Sequence, residues 1–186
     1  TAMSRKGRTD REAIVDAAVA LINAEGAGAL SLKRLADALG IQTPSLYNHV
    51  EGLPGLQREL ALRNARNLVD CLADAAIGKS GVAALVALAQ AYRAYIKANP
   101  GLYLLELRPA HVVEPVDLAR TAAEERTVAI CLTVMASFGL AGEDALHAVR
   151  ALRSMVHGFA TLEAAGGFGL PLDLDESFRR LVAMLV

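Results

Sequence analysis

The sequence has few of the residues that build β-sheets. It contains no tryptophan, and aromatic residues make up 4% of the chain. Strands recruit aromatic and β-branched residues, whereas alanine and leucine dominate this sequence, so we expect an all-α protein. Hydrophobic residues make up 54% of the chain. This fraction can form a sizeable core and excludes a disordered protein.

The sequence also lacks the residue patterns of an enzyme or a metal site. It has no glycine-rich phosphate loop, no histidine pair at metal-ligand spacing and no nucleophile motif. Its two cysteines, Cys71 and Cys131, lie far apart in helical segments, as is typical of free buried thiols. We therefore expect no catalytic residue, no metal ion and no cofactor.

No apolar run is long enough to cross a bilayer. The longest, Ala129–Leu140, is interrupted by Thr133 and Ser137. No apolar segment follows the basic residues near the N-terminus, so we expect no signal peptide. These absences predict a soluble, cytoplasmic protein without a membrane partner.

The net charge of −1 excludes a protein that is basic throughout, but it leaves room for a local DNA-binding surface. Arg5, Lys6 and Arg8 lie close together near the N-terminus. Such a basic arm can follow DNA phosphates or enter a minor groove, and it can equally be a solvated tail.

Apolar residues recur at helical spacing along most of the chain, and glycine, proline and capping residues divide it into segments. We expect about nine helices in two domains: a three-helix bundle at residues 1–52 and a second helical domain at residues 53–186. The helices are expected at about residues 10–25, 31–39, 44–50, 54–76, 82–98, 116–138, 143–165 and 175–185, with a short apolar piece at residues 102–107.

The second and third expected helices have the spacing of a helix-turn-helix. The small side chain of Ala36 lets the helices approach, Gly40 turns the chain, and Leu46 holds the second helix. Thr43 and Pro44 form an N-cap and first-turn pair for that helix. The same spacing also occurs at an ordinary corner of a helical bundle, so the remaining surface of the third helix has to decide between the two interpretations.

That surface is rich in groups that bond to DNA. Glutamine and asparagine bond to base edges, serine and threonine to bases or phosphate, and the tyrosine hydroxyl to phosphate. Lys33 and Arg34, at the start of the second helix, can hold the DNA backbone. The expected contact residues of the third helix are Gln42, Thr43, Ser45, Tyr47, Asn48 and His49.

Residues 9–60 closely resemble the DNA-binding domain of the TetR family of bacterial transcriptional regulators. The resemblance rests on Ser31-Leu32, Leu35-Ala36, Leu39-Gly40-Ile41 and above all Leu46-Tyr47-Asn48-His49-Val50. It implies that the third helix faces DNA, with Tyr47 and His49 mainly on phosphate. Many relatives carry lysine where this chain has Leu53, so we expect somewhat weaker or less salt-sensitive DNA binding.

The C-terminal part resembles a TetR-type domain named for a Trp-His-Gly tripeptide. Here the tripeptide reads Val156-His157-Gly158, so the tryptophan is absent. The resemblance implies a regulatory domain that pairs two chains and binds a small effector. It extends the likeness to nearly the whole chain.

Two features of the C-terminal part agree with those roles. The helix at about residues 143–165 is apolar on two flanks, more than one core face requires, which favours a four-helix contact across a two-fold axis. The expected homodimer contacts are Ala145, Val149, Val156, Phe178, Leu181, Val182 and Leu185. Aromatic, methionine and polar side chains that converge near the centre of the domain suggest an effector pocket, although such residues are more often part of a core. They are Tyr92, Tyr95, Tyr103, Met135, Arg153 and His157.

Arg153 stands out because it lies on an otherwise apolar helix. It can bind an acidic ligand, or it can pair with Glu163 or Asp144. The sequence as a whole predicts a repressor that a small hydrophobic effector releases from operator DNA. An activator, or a helical interaction protein with a vestigial helix-turn-helix, is the alternative.

Overall fold

A computed structural model describes residues 10–105 and 116–185 of the chain. Within these ranges the chain forms nine α-helices and no strand, so the expected all-α class is confirmed. The basic residues Arg5, Lys6 and Arg8 lie outside the described residues. The helices are α1 (Arg11–Glu25), α2 (Leu32–Leu39), α3 (Thr43–Leu46), α4 (Gly52–Ala76), α5 (Gly81–Ala98), α6 (Pro100–Leu105), α7 (Leu118–Ala136), α8 (Gly142–Ala164) and α9 (Leu174–Ala183).

Side-chain and glycine caps set the ends of the first two helices. Asp10 Oδ1 accepts a hydrogen bond from the backbone of Ala13 at 2.9 Å and begins α1. Gly26, at φ 84°, ends it. The hydroxyl of Ser31 caps α2 by accepting from Arg34 N at 3.3 Å. These ends agree with the helices expected at about residues 10–25 and 31–39.

Other helix ends differ from the expected ones by a few residues. α7 begins at Leu118, not at Val116, because the carboxylate of Asp117 caps its first turn by accepting from Arg120 N at 3.0 Å. α4 begins at Gly52, two residues before the expected Pro54. Pro54 does not prevent this earlier start, because proline is tolerated in the first turn of a helix. The short apolar piece after α5 is itself helical, as α6.

The third helix is shorter than predicted and is capped differently. Its α-helical part ends at Leu46, and hydrogen-bonded turns continue to Val50, whose N–H donates to Leu46 O at 3.0 Å. Gln42 occupies the N-cap position, and its side chain makes no capping bond. The expected N-cap, Thr43, is instead the first helical residue, so this capping prediction was wrong.

The N-terminal core joins α1, α2 and α3 to the start of α4. It centres on Ile14, Ile22, Leu35, Leu46 and Leu56, each with none of its surface exposed. Since α4 continues without a break away from this core, it connects the N-terminal bundle to the rest of the molecule. A division of the chain near residue 52 remains a prediction.

Helix α6 is packed against α1 through the backbone. A Cβ atom placed on Gly101 would lie 1.9 Å from the carbonyl oxygen of Ile22, so no side chain fits there. The next residue, Leu102, donates its backbone N–H to Asn23 Oδ1 at 2.9 Å. Its side chain enters the N-terminal core. The C-terminal part of the chain thus touches the N-terminal bundle at a second place besides α4.

The second core lies among α4, α5, α7, α8 and α9. Leu85, Leu88, Ile96, Val156 and Phe178 are almost fully buried in it. No helix within the described ranges is both long and apolar enough to cross a membrane.

A buried cation holds α8 and α9 against α5. Arg93 is 8% exposed and lies 4.8 Å from the ring centre of Phe178. It donates two hydrogen bonds to Glu163, both at 2.7 Å, and pairs with Asp175 at 2.8 Å. These bonds hold the pKa of the Glu163 carboxyl below its ordinary value. Lys97 also binds Glu163, at 2.6 Å, so Glu163 is not the partner of Arg153 that the sequence left open.

Candidate DNA-binding surface and regulatory cavity

The turn between α2 and α3 is a tight glycine turn. Gly40 adopts a left-handed conformation, with φ 65° and ψ 31°, that only glycine reaches without strain. The backbone N–H of Ile41 donates to Ala36 O at 3.0 Å, which completes a Schellman motif. Ala36 and Leu46 are both buried, as the helix-turn-helix interpretation requires.

One polar face of the third helix and its following turn lies open to solvent. Gln42, Ser45, Tyr47 and Asn48 are exposed, and Tyr47 keeps 61% of its surface accessible. Thr43 and His49 are half-buried at the edge of this face. Because Leu46 and Val50 are the residues that anchor the segment in the core, its hydrogen-bonding side chains project outward together. We call these six polar residues, Gln42, Thr43, Ser45, Tyr47, Asn48 and His49, the reading face.

Two further expected DNA contacts lie on α2. Lys33 is exposed. Arg34 is also exposed, but its guanidinium donates to both carboxylate oxygens of Glu25, at 2.7 and 2.8 Å. For Arg34 to bind a phosphate it would have to exchange this exposed ion pair, which is weak in water.

A cavity of about 650 Å³ lies among α4, α5, α6, α7 and α8. This volume is in the range of sites for small molecules. Its walls are mainly apolar, and they include Leu68, Leu72, Leu88, Val128, Leu132 and Leu152.

Three of the six residues expected in an effector pocket line this cavity: Tyr92, Tyr103 and Arg153. The other three do not. Met135 is packed in the core. Tyr95 lies behind the wall, where its hydroxyl donates to Asn64 Oδ1 at 2.7 Å. His157 is likewise behind the wall, bonded to Tyr103.

The cavity tyrosines belong to a chain of hydrogen bonds. The hydroxyls of Tyr92 and Tyr103 are 2.6 Å apart, and the Tyr103 hydroxyl is 2.9 Å from His157 Nδ1. Burial raises the pKa of both tyrosines, so both remain protonated at neutral pH. Burial, and then the charge of Arg153, lower the pKa of His157. The imidazole is therefore neutral near pH 7, and Nδ1 donates or accepts according to its tautomer.

The structure adds polar wall residues that the sequence analysis missed. Asn64 lines the cavity from α4, Arg120 and Glu124 from α7, and Arg150 from α8. Arg120 Nε donates to Glu124 Oε1 at 2.8 Å. Asn64 carried a signal, because it lies at helical spacing among the apolar residues Ala61, Ala65 and Leu68 of α4. Arg150 carried one too, since it stands one helical turn before Arg153.

The expected dimer contacts are mostly buried inside the protomer. Ala145, Val156, Phe178 and Val182 are each at most 3% exposed, because they face α5 and the second core. These four side chains therefore have little surface to offer a partner. Val149, Leu181 and Leu185 are half-buried, so these three keep a part of the expected contact face, and Val149 also lines the cavity.

Comparison with known families agrees with this architecture. The family described as bacterial regulatory proteins, tetR family, matches residues 14–49. The family described as tetracyclin repressor-like, C-terminal domain, matches residues 85–185. An all-helical protein with a helix-turn-helix at its N-terminus and this C-terminal domain is a DNA-binding transcriptional regulator. The chain belongs to the TetR family, whose members are regulators and not enzymes.

Individual relatives support the assignment. An uncharacterised HTH-type transcriptional regulator of Bacillus subtilis (strain 168), YobS, is 35% identical over 94% of this chain and 90% of its own length. The tetracycline repressor protein class D of Escherichia coli is 29% identical over 84% of this chain and 66% of its own length. A glutamine-to-alanine variant of TetR from Acinetobacter baumannii AYE, solved in complex with minocycline, has the same fold, with a TM-score of 0.64 at 21% identity over 96% of this chain and 94% of that one.

Proposed function

We propose that the protein is a ligand-responsive repressor that binds operator DNA as a homodimer and leaves it when a small apolar effector fills the cavity. One relative is a repressor by name, and one protein of the same fold was solved with minocycline. A regulator that acts on chromosomal DNA in a bacterium works in the cytoplasm.

The observation that carries the DNA-binding proposal is the reading face. Its members expose amide and hydroxyl groups on a short segment that Leu46 and Val50 fix in the core. Amides can bond to base edges in the major groove, and hydroxyls can bond to phosphate. We therefore assign base recognition to Gln42 and Asn48, and phosphate contacts to Tyr47 and His49.

Dimer formation would use the exposed side of α8 and α9. The exposed apolar residues here include Leu162 of α8, at 50%, and Met184, just after α9, at 81%. Leu181 and Leu185 are half-buried beside them. A single short helix reads few base pairs, and two reading faces about 34–36 Å apart would match one turn of DNA. The dimer thus supplies the specificity that one protomer lacks.

Effector release would act through α4 and α6. Helix α4 contributes Leu56 and Leu60 to the N-terminal core and Leu68 and Leu72 to the cavity wall. Helix α6 contributes Tyr103 to the cavity and is packed against α1 two residues earlier, at Gly101. A ligand that favours a different tilt of either helix would change the spacing of the two reading faces.

A titration with DNA from upstream of the gene tests the proposal. We expect sub-micromolar binding that weakens with salt as phosphate contacts release counterions. In the double variant Gln42→Ala, Asn48→Ala the affinity is expected to fall at least about tenfold, since each base contact contributes roughly 1–3 kcal/mol. A matched double variant, Gln90→Ala, Asn67→Ala, removes an exposed glutamine and asparagine far from the reading face and should bind as the parent protein does.

Equal loss in both double variants, or in neither, would contradict the role of the reading face. The direction of regulation needs a second measurement. Deleting the gene should raise transcription from the bound promoter, whereas a fall would identify an activator.

A further inference from the structure

The charged side chains of the cavity wall are positive on balance. Three arginines line it, against two glutamates, Glu124 and Glu125. Arg120 is bound to Glu124, as described above. Arg150 and Arg153 project from α8 one helical turn apart, and no carboxylate of the described ranges is within salt-bridge distance of either. The open side of the cavity therefore carries two guanidinium groups without an acidic partner.

Arg153 lies beside the hydroxyl groups of the cavity wall. It lines the same cavity as Tyr92 and Tyr103, whose hydroxyls form the hydrogen-bonded chain with His157. Within that chain, Tyr92 can donate its proton outward if Tyr103 donates to Tyr92 and His157 Nδ1–H donates to Tyr103. A guanidinium fork and a phenol proton can then point at the same spot, an arrangement that fits a carboxylate.

The α4 wall of the cavity offers a further donor, and the α7 wall offers an acceptor. Asn64 Oδ1 is occupied by the hydroxyl of Tyr95, at 2.7 Å, so its amide N–H groups are the ones left for a ligand. The hydroxyls of Thr121 and Thr127 already donate to backbone carbonyls of α7 and its cap, at 2.9 and 3.1 Å. Glu125 is an exposed acceptor on α7, and its single charge offsets one of the two guanidinium groups.

We propose that the cavity binds apolar compounds with a single carboxylate or a similarly shaped anionic head, held between Arg153 and the hydroxyl of Tyr92. The apolar tail would lie against Leu68, Leu72, Leu88 and Leu132. This ligand class rests on the proposed effector function of the cavity. A neutral ligand would leave at least one of the two guanidinium groups without a counter-charge, and a cationic one would be repelled by them.

Calorimetric titration with decanoate, decanol and decylamine tests the ligand class, because the three probes share one apolar chain and differ in the charge of the head. We expect decanoate to bind at least about tenfold more tightly than either of the others at neutral pH, since a bidentate arginine–carboxylate pair is a strong charge-assisted contact. In Arg153→Met this preference should fall to within about threefold. Arg126→Met, which removes an exposed arginine of α7 outside the cavity wall, should keep it.

Thermal melting of each variant establishes that it is folded. Arg153→Lys retains the charge without the guanidinium fork, so we expect it to keep part of the preference for decanoate. Equal binding of decanol or decylamine, an undiminished preference in Arg153→Met, or no binding of any probe would overturn the proposal. Operator titration of the parent protein is carried out on the same preparation. If operator binding holds while the anion preference fails, the ligand class alone is wrong. If the preference holds while operator binding fails, the ligand class stands and the regulatory function falls.

Discussion

At the residue scale, Arg93 links three helices through one guanidinium. It lies over the rings of Phe159 and Phe178, with centroid distances of 5.2 and 4.8 Å, and it pairs with Glu163 and Asp175. Glu163 has a side chain that is only 8% exposed. The acid is thus stable in its charged form only because Arg93 and Lys97 bind it.

We predict that Arg93→Met destabilises the protein severely. The substitution retains an apolar stem but leaves Glu163 buried with Lys97 as its remaining cation. Removing one partner of a buried pair costs about 3–5 kcal/mol, so the free energy of unfolding in urea should fall by about 3 kcal/mol. Arg126→Met, on the exposed side of α7, should change it by less than about 0.5 kcal/mol. Both are measured at one protein concentration, because dimerisation affects apparent stability. Similar losses in the two variants would contradict this role of Arg93.

Single residues also show which parts of a candidate binding site can be predicted from the sequence. The residues of the reading face could be predicted because a short segment with one anchoring leucine leaves few choices about what faces outward. Tyr92, Tyr103 and Arg153 could be placed near the cavity because each lies on a helix expected near the domain centre. Tyr95 could not be separated from them, since the direction of its hydroxyl depends on Asn64 of α4.

At the scale of elements, helix ends with a local chemical cause were the most predictable. Asp10 and Ser31 cap helices through their own side chains, and Gly40 turns the chain by its own φ. Other helix starts differ, as at the third helix, where Gln42 takes the N-cap position without a capping bond and the expected cap, Thr43, is already helical. Capping at these ends is decided by the backbone path of the neighbouring turn, which a one-dimensional pattern does not contain.

Helix α8 shows what periodicity leaves undetermined. Its two apolar flanks are visible in the sequence, yet the spacing does not say which of them faces the protein's own core. The structure buries Ala145, Leu152 and Val156 and leaves Leu162 exposed. The flank expected at the dimer contact is thus largely internal, because the packing partner of each flank is a helix distant in sequence.

The contact between α6 and α1 yields a prediction at this scale. In Gly101→Ala the new methyl group would overlap the carbonyl of Ile22, so α6 has to move away from α1 and the bond from Leu102 to Asn23 is strained or lost. Overpacking of this kind typically costs about 1–3 kcal/mol, and we expect a loss of that size in the free energy of unfolding in urea.

Gly28→Ala is the matched control for this prediction. Gly28 lies in the turn after α1, and a Cβ there meets nothing within 4 Å. We expect it to change stability by less than about 0.5 kcal/mol. If Gly101→Ala were as well tolerated as Gly28→Ala, the tight packing of α6 against α1 would be refuted.

At the scale of the whole molecule, the proposed binding to operator DNA requires two protomers. The exposed apolar residues of α8 and α9 are the surface available for that contact, and they flank the cluster around Arg93. Burying them would extend the second core across a two-fold axis. The dimer would then hold the two reading faces at one separation, which a shift of α4 or α6 would change.

We predict that Leu162→Glu weakens or abolishes the dimer, because a charge placed in the centre of an apolar contact loses its hydration. Sedimentation or light scattering at micromolar concentration should show a dimer for the parent protein and a shift toward monomer for the variant. Ile77→Glu is the matched control, since Ile77 is a more exposed apolar residue, at 71%, that follows the last turn of α4. A monomeric parent protein, or a dimer that survives Leu162→Glu unchanged, would place the contact elsewhere.

The most direct test of the central claim is a competition between operator DNA and random-sequence DNA of equal length at physiological salt. We predict that the parent protein prefers the operator by at least about a thousandfold, the lower end of the range for specific regulators. Each complex should contain two protomers. The salt dependence of the same titration would give the number of phosphate contacts. Equal affinity for the operator and for random-sequence DNA, together with no preferred sequence in a selection from a random pool, would contradict the claim that the reading face recognises DNA sequence.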